Sequence, residues 1–300
     1  MFHGAEPRPR WSVAGRWTGC YCPRVAGSNA RPIGVFDSGL GGLTVARAIA
    51  ARLPSERIVY LGDTARVPYG TRSAETVLRY AQACGARLAE RDIKLLVVAC
   101  NTVSAVALDT LRVQLDVPVL GVVTPGARAG VAASRAGRLG VLATAGTIAS
   151  GAYPRAVASL DSRVEVFARP APLFVPLAEE GWVDGEVPRL VARRYLAPLV
   201  EDGVDALVLG CTHYPLLAPV IAEVAAELVG PALRIVDSAE ATAEELAGLL
   251  DARGLSAPAD ASRVAPLSIL VTDRPADFAS PASRFLGQPV ETLPVEQIDL

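Results

Sequence analysis

Two cysteines in this 300-residue chain stand where the sequence turns abruptly from apolar to polar. Leu95-Leu96-Val97-Val98-Ala99 runs into Cys100, Asn101 and Thr102; Ala206-Leu207-Val208-Leu209-Gly210 runs into Cys211, Thr212 and His213. Each apolar run reads as a buried parallel strand, and ligands bind at the carboxyl ends of such strands. A lone buried cysteine is commonly a small apolar filler. Two placed alike, each followed by hydrogen-bonding residues and an expected helix start, suit acid–base chemistry, because a helix N-terminus lowers a thiol pKa towards neutrality.

Three chemistries fit the set. Zinc held by Cys100, Cys211 and His213 lacks an obvious fourth ligand. A cysteine hydrolase or amidase would pair one thiol with His213 and leave the other idle. Two opposed thiols make most sense where a proton leaves one face of a carbon and returns on the other. A non-catalytic two-lobed amino-acid binder would explain a polar crevice, but not a thiol on each side of it.

The rest of the chain reads as elements that carry polar groups to the same crevice. Ile33–Phe36 is a short strand ending in Asp37-Ser38 and the turn Gly39-Leu40-Gly41-Gly42, before an amphipathic run from Leu43 to Leu53. The glycines lack the spacing and lysine of a phosphate loop, so Asp37 is the informative residue, with helix capping as its plainer role. Ile58–Gly62 ends in Asp63, and Pro68-Tyr69-Gly70 forms a turn before a helix from about Ser73 to Arg91. Pro118–Val122 is a fourth strand, and Thr124-Pro125 opens a helix. Gly140-Val141-Leu142, followed by Thr144 and Thr147, then repeats the form of the first strand 106 positions on, close to the 111 positions between the cysteines.

A strand at Arg163–Phe167 precedes Leu173–Gly181, where Glu179 and Glu180 would by default be solvated. Helices are expected at about 187–200 and 241–250, with a strand at Ile235–Ser238, a Pro- and Ala-rich loop at 257–266, a strand at Ser268–Thr272 and a helix near Phe278–Leu286. The fold class is α/β: two similar domains with mostly parallel sheets, related by a pseudo-two-fold axis, with the active site in the cleft between them. The expected boundaries are 31–124 plus about 237–300 for the first domain and 125–236 for the second. Residues 1–30, with Trp11, Trp17, Cys20 and Cys22 and no periodicity, read as a disordered extension.

Composition excludes several classes. A net charge of −2 gives no footprint for nucleic acid or an anionic membrane, and no apolar run is long enough for a span. Five cysteines, an odd number, argue for reduced thiols and a cytoplasmic setting. Lys94 is the sole lysine and precedes its strand, away from the crevice, so a pyridoxal-phosphate imine is not expected. Replacing it by arginine should therefore leave activity near normal.

Taken together and in order, Gly34-Val35-Phe36-Asp37-Ser38-Gly39-Leu40-Gly41-Gly42-Leu43, Pro68-Tyr69-Gly70, Ala99-Cys100-Asn101-Thr102 and Gly210-Cys211-Thr212-His213-Tyr214-Pro215-Leu216 resemble the glutamate racemases. The likeness extends to Thr272-Asp273 and Arg284-Phe285-Leu286-Gly287. It departs at Ala171, where the family often carries a cysteine, and in the N-terminal extension. Aspartate racemases share the paired cysteines but not the opening Phe-Asp-Ser-Gly. The resemblance implies a cofactor-independent, metal-free racemase, a homodimer, that supplies D-glutamate for peptidoglycan. It makes Cys100 the acid/base for the D-isomer and Cys211 that for the L-isomer, assisted by Asp37 and His213 respectively. Ser38, Tyr69, Gly70, Asn101, Thr102, Thr144 and Thr212, with Asp37 and His213, would bind glutamate. A functional glutamate of the family falls at Glu179, with Glu180 as the other choice.

Overall fold

The computed structural model describes residues 28–230, 233–258, 267–274, 276, 278–291 and 293–300. Among the described residues, ten strands form in chain order: β1 (Ile33–Asp37), β2 (Ile58–Gly62), β3 (Leu95–Val98), β4 (Val119–Gly121), β5 (Arg138–Ala143), β6 (Glu165–Pro170), β7 (Ala206–Gly210), β8 (Arg234–Asp237), β9 (Leu267–Val271) and β10 (Val295–Gln297). They make two sheets, ordered β10-β9-β2-β1-β3-β4 and β6-β5-β7-β8, and every pairing is parallel. Central strands covered on both faces are apolar throughout, as parallel sheets require. Accordingly β1, β3 and β7 are buried along their whole length.

The second sheet repeats the order of the first four strands. Both place their first strand beside their third, and the register agrees as well. Gly34 pairs with Leu96 and Phe36 with Val98; 106 and 111 positions on, Gly140 pairs with Leu207 and Leu142 with Leu209. Cys100 and Cys211, each two residues beyond those last partners, therefore occupy corresponding places in the two sheets. Ser38 corresponds to Thr144 in the same way. In both sheets the site lies where strand order reverses about the first strand, the usual place for a ligand in open α/β sheets.

Several elements differ from the sequence expectation. The run after Cys100 is two helices, Asn101–Val106 and Leu108–Gln114, broken at Ala107. Helix Ala218–Val229 is separated from Cys211 by a 3-10 turn, Tyr214–Leu217, so Cys211 is not at a helix start. β6 begins at Glu165 instead of Arg163 and is only partly buried. β10 has no apolar run to announce it, because it is an edge strand with two exposed polar residues.

The expectation of disorder over 1–30 needs correction at its end, and otherwise lies outside the described residues. Ser28–Ala30 forms a 3-10 turn, and Lys94 Nζ donates to Asn29 O at 2.8 Å. Lys94 is buried at the amino end of β3, pairs with buried Glu56 and donates also to Leu255 O at 2.7 Å. Its desolvation, which lowers its pKa against the pull of Glu56, is compatible with folding only because those acceptors surround it. Arginine is thus expected to cost stability here, while the expectation for activity is unaffected.

Candidate active site

The carboxyl ends of β1, β3, β5 and β7 open on one cavity of about 730 Å³ including its mouth. Ser38, Tyr69, Gly70, Cys100, Asn101, Thr102, Thr144, Cys211, Thr212 and His213 all line it. Asp37 and Glu179 stand behind that lining, each next to a group that does face the cavity.

The glycines after Asp37 are there for close approach. A Cβ on Gly41 would fall 2.3 Å from Thr212 Oγ1 and 2.5 Å from His213 Nδ1, and one on Gly42 would fall 2.4 Å from Asp37 Cβ. The turn is thus pressed against the Cys211 side of the site, and Thr44 Oγ1 donates to Thr212 O at 3.0 Å to hold it there. Gly70 plays the same part beside Thr144, 2.9 Å from where its Cβ would be.

Cys100 caps the helix Asn101–Val106 and its Sγ lies 3.6 Å from Ser38 Oγ. Against the expected drop, its pKa is pushed up to about 12. Burial is the main cause and the charge of Asp37 the next; hydrogen bonds from Val103 N–H and Ser38 only partly offset them. These surroundings therefore favour Cys100 as a thiol. Asp37 is wholly buried, and its carboxyl pKa is raised by that burial despite the His213 charge and backbone N–H groups. Gly39 N–H donates to Asp37 Oδ2 at 2.9 Å, whereas Oδ1 has no hydrogen-bond partner among the described residues.

On the other side Cys211 Sγ lies 3.8 Å from His213 Nδ1, with Thr212 Oγ1 3.4 Å from the same nitrogen. His213 Nε2 is 3.0 Å from Glu179 Oε1. Burial alone would lower the imidazole pKa, but hydrogen bonds and charge from Cys211 and Glu179 win and raise it to about 10. His213 is therefore an imidazolium near neutral pH, and Phe285 packs edge-on against its ring at 5.0 Å. Glu179 rides on the helix Phe174–Glu180, whose last carbonyls accept from Arg284. Glu180 instead borders an outer apolar hollow with Leu173, Trp182 and Val187.

Between the two sides, Thr102 from the first sheet meets Thr144 and Thr147 from the second, with the three hydroxyl pairs 2.9–3.3 Å apart. Tyr69 is buried and its phenol donates to Asp63, which also accepts from Thr272 Oγ1 at 2.7 Å. Asn101 Oδ1 accepts from the phenol of Tyr153 at 2.7 Å. Sequence reasoning named none of Asp63, Thr272 or Tyr153 as parts of the site. The strand-end position of Asp63 was a usable signal, but Tyr153 lies within an amphipathic helix that reads as core. Pro172, Val175 and Pro176, which form an apolar wall of the cavity, also gave no sequence signal. Among the described residues, no group of three or more His, Cys, Asp or Glu side chains is arranged to hold a metal ion.

A family model described as Asp/Glu/Hydantoin racemase matches residues 43–246, over half the chain. The chain belongs to that family. Within it, this chain is 53% identical to a glutamate racemase of Geobacter metallireducens over 257 residues, covering 86% of this chain and 93% of that one. A solved glutamate racemase, isoform RacE1 of Bacillus anthracis, superposes with a TM-score of 0.84 at 38% identity, covering 91% of this chain and 98% of that one. The glutamate racemase of Francisella tularensis, solved with D-glutamate, gives a TM-score of 0.81 at 35% identity, covering 90% and 98%. These racemases share the two-sheet α/β architecture that positions the cavity.

Proposed function

We propose that this protein is a glutamate racemase that interconverts L- and D-glutamate with two cysteines and no cofactor, in service of cell-wall peptidoglycan. The observation that carries the reading is the matched placement of Cys100 and Cys211 at register-equivalent strand ends of two sheets, both facing one cavity. Family membership and the D-glutamate complex of a relative support the substrate.

In the direction from L-glutamate, Cys211 takes the α-proton: the Cα–H bond breaks, an S–H bond forms, and the electron pair moves into the substrate carboxylate. Cys100, whose thiol form is favoured by burial and by Asp37, gives its proton to the opposite face. The sulfurs finish with their protons exchanged, and return of the starting form needs a proton to travel between them or through solvent. Asp37 serves Cys100 in this, and the His213–Glu179 pair serves Cys211. The developing enediolate needs preorganised donors in a dry site. Asn101 Nδ2, the threonine hydroxyls and the wall of Pro172, Val175 and Pro176 are suited to that.

The two sheets, extended by their flanking helices, are proposed as two pseudo-two-fold-related domains with boundaries near residues 124 and 237. The proposed assembly is a homodimer in the cytoplasm.

The test is purified protein with L-glutamate in deuterated water, with no added cofactor, followed by polarimetry and mass spectrometry, and aspartate as the control substrate. D-glutamate carrying deuterium should appear while recovered L-glutamate carries little at low conversion. Cys100→Ala and Cys211→Ala should each abolish racemisation, since members of one catalytic unit are strongly non-additive. Early label in recovered substrate, or substantial racemisation by either variant, overturns the two-thiol reading.

A further inference from the structure

Tyr153 touches a neighbour of each cysteine, Asn101 beside Cys100 and Gly210 beside Cys211. It sits on the helix Ala152–Leu160 and is 1% exposed. Its phenol donates to Asn101 Oδ1 at 2.7 Å, and Asn101 directly follows Cys100. Its ring lies on Gly210, which directly precedes Cys211: a Cβ there would fall 3.0 Å from ring carbon Cε2. The phenol oxygen in turn lies over Gly126, 3.2 Å from where a Cβ would be. Two glycines thus leave room for one buried ring between the halves of the site.

Asn101 is 2% exposed, lines the cavity, and its Nδ2 is buried with no hydrogen-bond partner among the described residues. A buried amide nitrogen calls for an acceptor. Because the amide is planar and its oxygen is held by the phenol, the two Nδ2 hydrogens are directed away from Tyr153. Resting on the racemase reading above, we propose that Tyr153 is a positioning residue of the reaction: its phenol locks the Asn101 side-chain amide so that Nδ2 donates to a carboxylate of the bound glutamate. A phenylalanine would fill the same space and pack on Gly210 equally well, but would leave the amide free to turn over. Burial raises the phenol pKa, so the phenol remains a donor at neutral and mildly alkaline pH.

The experiment compares the intact wild-type enzyme with Tyr153→Phe, Asn101→Ala and the double variant, measuring kcat and KM for both glutamate enantiomers and the melting temperature. Tyr153→Phe should melt close to wild type and raise KM about tenfold for both enantiomers, the loss of one well-placed hydrogen bond, with a smaller change in kcat. In the Asn101→Ala background the same substitution should have no further effect, because its target is gone. An unchanged KM in Tyr153→Phe, or an equal loss in both backgrounds, overturns the proposal. A wild type that does not racemise glutamate removes the racemase reading and this inference with it; a wild type that does, beside an unaffected Tyr153→Phe, removes this inference alone. Should Tyr153→Phe fail to fold, side-chain amide NMR of the wild type decides. The Asn101 NH2 signal, identified by its loss in Asn101→Ser, should shift on adding D-glutamate. An unmoved signal at saturating ligand overturns the proposal.

Discussion

Glu179 Oε1 and His213 Nε2 meet at 3.0 Å, while the opposite nitrogen of the same ring faces Cys211 Sγ at 3.8 Å. The ring therefore transmits the carboxylate charge to the thiol side of the site. Glu179→Gln removes the charge but keeps an acceptor, so the imidazole pKa should fall from about 10. A histidine whose folded pKa exceeds its unfolded value adds stability that is complete below about pH 6.5 and lost as pH rises through about 10. The melting-temperature gap between wild type and Glu179→Gln should therefore be widest below pH 6.5 and close towards pH 10. Racemisation should fall about 10- to 100-fold, with the alkaline limb of its pH profile displaced to lower pH.

Asp37 carries the opposite balance. Its carboxyl is buried with one oxygen unpartnered and its pKa is raised, so ionising it costs folding energy progressively as pH climbs above the ordinary carboxylate value. Asp37→Asn escapes that cost. Its melting temperature should exceed that of wild type by about 2–4 °C per kcal/mol gained near neutral pH, and the advantage should vanish towards pH 4. Activity should fall about 100-fold. A variant that is both less active and less stable at pH 8 would show that the carboxylate charge holds the turn together.

Lys94→Met should leave the Glu56 carboxylate buried without its cation. A loss of about 3–5 kcal/mol is expected for breaking such a pair, measured by urea denaturation. Lys94→Arg should also destabilise, because a bulkier guanidinium must displace acceptors packed 2.7–2.8 Å from the buried Nζ. At temperatures where both variants remain folded, kcat should stay near wild type, since the pair is at the far end of β3 from the cavity.

Thr144→Val removes the hydroxyl that meets both Thr102 and Thr147, and leaves only their direct 3.3 Å contact. Its KM for glutamate should rise about 3- to 10-fold, the worth of one hydrogen bond, with kcat changed less. Equal kcat and KM to wild type would show that the cluster is structural only.

The strands proposed to carry the chemistry were the most legible part of the sequence. β1, β3 and β7 are buried on both faces, so their apolar runs are continuous, and Asp37, Cys100 and Cys211 stand out as interruptions. Glu179 and Glu180 were indistinguishable in sequence, since the choice depends on which side of a helix faces His213. β10 was missed because an exposed edge strand needs no apolar pattern. The proton held by Cys100 was misread for a different reason: a helix N-terminus is visible locally, but burial and the neighbouring Asp37 charge are products of the assembled fold.

The two sulfurs occupy equivalent strand ends but keep unequal company, a carboxyl on one side and a carboxylate–imidazole pair on the other. Mirror-image amino acids have equal free energies in water, so kcat/KM for the proposed reaction must be the same in both directions whatever flanks each sulfur. The unequal company sets the height of that shared value and how the resting enzyme divides between its two proton arrangements, but not the ratio between directions. Individual kcat and KM values will therefore differ between enantiomers and compensate in their ratio. A ligand that prefers one arrangement will show a different mode of inhibition depending on which enantiomer is supplied.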